Sequence, residues 1–109
     1  DLDNAQSQLE WAADKGKDAA LRDLARLRLA TVLLQKGDFD GALMRLQTEP
    51  STMYRARFAD LRGDVYAAQG KMAEARTAYQ AAVDVLSSAG EQATTLREVV
   101  RVKLESLEG

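Results

Sequence analysis

The chain of 109 residues contains no cysteine and no histidine. Without cysteine there is no disulfide framework and no thiolate to act as nucleophile or ligand. Without histidine the usual general base near neutral pH and the commonest metal ligand are both missing. Proline occurs once, at Pro50. No run approaches the roughly 18 apolar residues of a membrane-spanning helix, and the acidic start lacks the apolar core of a signal peptide. A basic surplus is missing too: the net charge is −2 with both signs interspersed, which argues against the basic stripe of a nucleic-acid surface. The absence of cysteine fits a cytosolic and a periplasmic protein equally. The chain opens at Asp1 without an initiator methionine, as a fragment or a mature form would.

What is present points to helix. Apolar residues make up 46 % of the chain and charged residues 29 %, enough for one domain with a modest core and a solvated surface. Alanine, leucine, glutamine, glutamate, arginine and lysine dominate, and all of them favour helix. Pro50 and the seven glycines then mark the breaks. Six helices are predicted. The first runs from Leu2 to about Lys15, with Ala5, Leu9 and Ala12 on one stripe, and Gly16 ends it. The second runs from about Asp18 to Lys36 and is apolar over more than half its circumference. Gly37 stops it, Asp38 caps the third, about Phe39 to Gln47, and "TEPST" is a loop. Ser51 or Thr52 is expected to cap the fourth, which reaches about Gln69 before Gly70. The fifth covers about Met72 to Leu86. The sixth, about Gln92 to Leu107, carries a seam of Leu96, Val99, Val100, Leu104 and Leu107 with Lys103 beside it.

The stretch "LRGDVYAAQGKMAEARTAYQAAV" holds the strongest pattern. "QKGDFDGALMRL" aligns with "AQGKMAEARTAY" without gaps at an offset of 33 residues. Gly37 pairs with Gly70, Phe39 with Met72, Ala42 with Ala75 and Leu46 with Tyr79; further back, Ala30 and Leu33 pair with Gly63 and Tyr66. A helix–turn–helix unit with small-x-x-aromatic in its first helix and Ala-x3-aromatic in its second resembles the tetratricopeptide repeat. That resemblance implies an all-α, right-handed helical solenoid. Gly63 would let two helices approach closely, Tyr66 would fill the space beside it, Gly70 would turn the chain, Ala75 would sit at the tight crossing, and Tyr79 and Ala82 would pack onward. The second repeat departs from the family pattern at Arg62 and Ser87, and the first is looser. Residues 1–16 read as the second helix of a truncated repeat, because Ala5, Leu9 and Ala12 repeat the spacing of Ala75, Tyr79 and Ala82. Residues 18–49 and 52–87 form two repeats, and 91–108 a C-terminal capping helix.

The runs "RLRLATVLLQKG" and "LRGDVYAAQG", followed by the basic amphipathic "LREVVRVKLESL", are similar to the periplasmic domain of the YfgM family, the ancillary subunit of the bacterial SecYEG translocon. The resemblance implies a non-enzymatic interaction scaffold tethered at the periplasmic face of the inner membrane. It would bind translocon subunits, a periplasmic chaperone or an emerging polypeptide. Members of that family carry an N-terminal membrane helix absent here, so the resemblance implies a chain cut after it. The alternative is a structural repeat module of another assembly, a lipoprotein scaffold or a cytosolic regulator.

No residue pattern calls for catalysis, a metal or a cofactor. Asp60 and Asp64 lie one turn apart with Arg57 on the same face and read as a solvated charged face. Asp38 and Asp40 flank a turn, where capping explains Asp38 better than calcium does. Gly37 and Gly41 are not followed by Lys-Ser or Lys-Thr, so there is no phosphate loop. Trp11 is expected to pack at the boundary of the first helix. Arg97, Arg101 and Lys103 are expected to face solvent, with acidic lipid headgroups as the alternative contact. In solenoids of this type the first helices of successive repeats line a concave groove. By register it would take Leu24, Leu27, Thr31, Leu34 and Gln35 from the second helix and Arg57, Asp60, Asp64, Ala67 and Ala68 from the fourth, suiting a peptide or partner helix. The uncovered side of the first helix further predicts self-association into a homodimer through Leu2, Leu9, Leu24 and Leu27.

Overall fold

The computed structural model describes residues 1–107, apart from the side chain at position 92; the last residue of the expected 91–108 cap lies outside the described residues. Six α-helices follow one another: α1 Leu2–Lys15, α2 Ala19–Gln35, α3 Phe39–Arg45, α4 Arg55–Ala68, α5 Met72–Ser87 and α6 Thr94–Ser106. No strand occurs among the described residues. The helices gather into two compact units, Asp1–Tyr54 and Arg55–Gly109. In the first, α1 packs on α2 and α2 on α3; in the second, α4 packs on α5 and α5 on α6.

The interhelical turns carry the repeat in their hydrogen bonds. After α2, Gly37 takes φ 80°; its N–H donates to the Leu34 carbonyl and the Asp38 N–H to the Leu33 carbonyl. After α4, Gly70 takes φ 77°; its N–H donates to the Ala67 carbonyl and the Lys71 N–H to the Tyr66 carbonyl. Both are Schellman closures, in which a left-handed residue lets the last carbonyls of the helix find donors. The two closures are related residue by residue at the offset read from the sequence.

The next step differs between the two copies. Asp38 accepts a hydrogen bond from the Gly41 N–H and so caps α3. Lys71, in the same place before α5, has nearly the same backbone angles (φ −90°, ψ 76° against φ −87°, ψ 78°) but offers no side-chain cap.

Three boundaries depart from the sequence pattern. α3 ends at Arg45 rather than near Gln47. Ser51 does not cap α4: its N–H and hydroxyl both donate to the Asp23 carboxylate on α2, and a 3₁₀ turn at Thr52–Tyr54 intervenes before α4 starts at Arg55. A second 3₁₀ turn, Glu91–Ala93, leads into α6.

The core of the second unit gathers Ala56 and Ala59 of α4, Ala75, Tyr79, Ala82, Val83 and Leu86 of α5, and Val100 of α6. Gly63 is buried at the α4–α5 crossing. A Cβ built there would lie 2.4 Å from two carbons of the Tyr79 ring, far inside van der Waals contact. Of the other repeat positions, Ala30, Leu33, Ala42 and Leu46 are buried in the first unit, and Tyr66 is half-buried in the second.

Two stability measurements follow. Gly63→Leu should cost about 1–3 kcal/mol in urea unfolding, because overpacking outweighs leucine's better helix propensity; an unchanged or higher stability would refute the close crossing. Lys71→Ser should stabilise by about 1 kcal/mol. The serine would cap α5 and complete a capping box with Glu74, three residues on. No rise in melting temperature would show that the turn cannot use a cap.

Candidate functional site: interaction surfaces

α4 places Asp60 and Asp64 one turn apart, and α6 brings Lys103 between them. Its ammonium lies 3.0 Å from Asp60 Oδ1 and 3.1 Å from Asp64 Oδ1. The Tyr79 hydroxyl on α5 donates to Asp64 Oδ1 at 2.6 Å, and the Lys103 ammonium sits 5.9 Å from the Tyr79 ring centroid, within reach of the ring's negative face. One lysine thus ties all three helices of the unit.

Titration reflects this. Burial raises the Asp60 pKa above the ordinary carboxylate value; the hydrogen bond from Lys103 opposes the shift, and the Asp64 charge adds to it. Tyr79 is raised by burial and by its bond to Asp64. Lys103 is raised despite burial, because Asp60 and Asp64 hold its proton.

The pattern that predicts a solvated face around Asp60 and Asp64 is therefore corrected. The seam of α6 that packs on the core is Leu96, Leu104 and Leu107 around Val100. Val99 falls outside it and is exposed. Lys103, at the seam's edge, turns inward to α4 rather than to solvent. Arg97 is half-buried, with its Nε buried and unbonded, and Arg101 lies 3.4 Å from Glu98. Of the three cations expected to face solvent, only Arg101 is exposed.

In the first unit Asp23 is the buried charge, 4 % exposed. It accepts from the Ser51 N–H at 2.8 Å and from the Ser51 hydroxyl, and it pairs with Arg26 at 3.0 Å. Burial pushes its pKa up, but the Ser51 bonds and Arg26 outweigh that and leave it below the ordinary value. The sequence held one signal for it: an aspartate inside the apolar run "LRDLARLRLA".

The residues predicted to contact a partner lie along two helices. On α2, Leu24, Leu27 and Leu34 are half-buried, while Thr31 and Gln35 are exposed. The Thr31 hydroxyl donates to the Leu27 carbonyl. On α4, Arg57 and Ala68 are exposed and Ala67 is half-buried; Asp60 and Asp64 are engaged as described.

Each unit also carries a groove the sequence did not disclose. In the second, about 390 Å³ opens between Arg62 and Tyr66 of α4 and Thr77, Ala78 and Ala81 of α5. In the first, about 320 Å³ lies between Leu9, Trp11 and Ala12 of α1 and Leu21, Leu24 and Arg28 of α2. Trp11 is 68 % exposed at its rim, so the expectation that it packs is overturned. The stripe of α1 that meets its neighbours is the one carrying Ala13, and Trp11 points off it. No helix is long and apolar enough to cross a membrane, and no group of acidic side chains fit to hold a metal ion occurs, among the described residues.

The family model of the tetratricopeptide repeat-like domain matches residues 1–109. The chain belongs to that family. Three relatives of this repeat chain bear the name ancillary SecYEG translocon subunit, as the resemblance read from the repeats implies. The Neisseria gonorrhoeae protein is 36 % identical over 105 residues, covering 96 % of this chain and 48 % of the relative. The Escherichia coli protein is 31 % identical over 107 residues, 98 % of this chain and 50 % of the relative. The Haemophilus influenzae protein is 32 % identical over 82 residues, 75 % and 40 % respectively. The chain thus spans about half the length of these relatives or less. No solved structure matches it significantly.

Lys103→Met should cost about 1–3 kcal/mol at pH 7, since it leaves two partly buried carboxylates without their cation. A group whose pKa is raised on folding stabilises the fold below its unfolded value, near 4, and loses that contribution as pH rises. Asp60 is such a group, and without Lys103 its pKa climbs further. The deficit of the variant should therefore shrink as pH falls from 7 towards 4. Urea unfolding at both pH values checks this; an equal deficit at each would show that the lysine acts by packing alone.

Proposed function

We propose that this chain is the protein-interaction part of a non-catalytic adaptor at the SecYEG translocon. In this reading it works at the periplasmic face of the inner membrane, held there by a membrane helix outside the chain, and engages translocon subunits together with a chaperone or an emerging polypeptide. The observation that carries the reading is the match of nearly the whole repeat chain to relatives named ancillary SecYEG translocon subunits. Helical repeats present extended surfaces suited to peptides and partner helices. The exposed Thr31 and Gln35 of α2, with half-buried Leu24, Leu27 and Leu34 beside them, and the exposed Arg57 and Ala68 of α4, next to half-buried Ala67, are the surfaces proposed for such contacts. Asp60 and Asp64 shape the second of these through Lys103 and do not offer a free acidic pair.

Affinity purification of the natural full-length protein from membranes in mild detergent should recover SecYEG. Recovery of cytosolic partners alone would overturn the reading. Recovery within another envelope complex lacking SecYEG would show a repeat module of a different assembly.

A further inference from the structure

The groove of the first unit is apolar, open and flanked by positive charge that is unpaired among the described residues. Trp11 and Leu21, 68 % and 62 % exposed, converge on it. Large apolar side chains scattered singly are ordinary, but two at the rim of one apolar concavity mark an interaction site. Within the chain, α1 is less covered than its counterpart α5. On α5 the residues Ala75, Tyr79 and Ala82 are buried in the core shared with α4 and α6. On α1 the equally spaced Ala5, Leu9 and Ala12 are only half-buried.

The charge around it is one-sided. The carboxylates of α1 are spent elsewhere: Asp3 bonds Lys36, while Glu10 and Asp14 face Arg45. Asp18, before α2, caps the N–H groups of Ala20 and Leu21. On the groove side Arg28 is exposed and has no ion-pair partner among the described residues. Arg22 donates to the Gly16 carbonyl, a neutral acceptor. Lys15 and Lys17, flanking Gly16, are likewise exposed and unpaired among the described residues.

We infer that this groove docks an acidic amphipathic segment of a partner protein, its apolar side chains between Trp11 and Leu24 and its carboxylates towards Arg28 and Arg22. At about 320 Å³ the groove is at the lower end of ligand-pocket sizes, which suits a few side chains of a peptide rather than a folded surface. Charge complementarity favours this occupant over a second copy. A two-fold pairing sets the same patch against itself and would bring Arg28 and its neighbouring cations together. The inference deepens the reading of the chain as a protein-binding module and does not depend on which complex it joins.

Trp11 is the sole tryptophan and so reports the groove directly. The chain is titrated with a helical peptide carrying leucines at i, i+3, i+4 and i+7 flanked by glutamates, and with the same peptide bearing lysines instead. The acidic peptide should shift Trp11 emission to the blue with saturation, and added salt should weaken binding. Arg28→Glu and Leu21→Glu, both at exposed positions, should each weaken it about tenfold while leaving the thermal melt unchanged. Arg28→Glu should also gain affinity for the lysine peptide. No shift with the acidic peptide, or equal binding of both peptides, would overturn the inference. So would a shift with anionic phospholipid vesicles but not with peptide, which would mark a membrane contact. A concentration-dependent shift without any probe, matched by dimer in ultracentrifugation, would give the groove to a second copy. Binding of a labelled acidic peptide by this chain but not by the natural full-length protein would give it to a preceding segment of the same protein and overturn the inference. Co-purification with SecYEG tests the complex the protein joins and stands or falls separately from this titration.

Discussion

The second unit depends on the seating of one aromatic ring against one missing side chain. Tyr79 is 3 % exposed and lies where a Cβ on Gly63 would be. Glycine is costly inside a helix, by roughly 1 kcal/mol relative to alanine, so its place within α4 makes physical sense only if the close approach returns more. It does so twice. The ring fills the α4–α5 crossing, and its hydroxyl reaches Asp64. Asp64 in turn helps hold Lys103, so the third helix is positioned through the same contact. A tyrosine rather than a phenylalanine at this place links the apolar crossing to the polar network in one side chain.

Both units spend several of their acidic residues on their own architecture. Asp23 holds the loop after Pro50 to α2 through Ser51. Asp60 and Asp64 anchor α6. On α1, Asp3 meets Lys36, just after α2, and Glu10 and Asp14 meet Arg45 of α3. The exposed pairs contribute little individually. Their consequence is a matter of distribution: carboxylates are consumed on one side of α1, and cations remain on the other. A chain of net charge −2 thereby keeps a locally positive, apolar groove.

Much of the fold was legible in the sequence because its causes are local. Gly37 and Gly70 close their helices in a conformation that L side chains resist, so their spacing announced both turns. Asp38 caps α3 with its own carboxylate, an interaction spanning three residues. The start of α4 was not legible, because the Ser51 that would cap it is bound to Asp23, 28 residues earlier.

The sequence by itself determined six helices, their glycine turns and a repeat at a fixed offset, since periodicity and backbone preference are set within a few residues. Only the tertiary structure decided that Lys103 turns inward, that Trp11 stays outside and that Asp23 is buried. An apolar stripe specifies that some face of a helix is covered, but its edge residues go in or out according to the rotation of the packed helix. Lys103 and Trp11 are both edge residues. The lysine found two carboxylates across α4, whereas the tryptophan was left at the rim of an open groove.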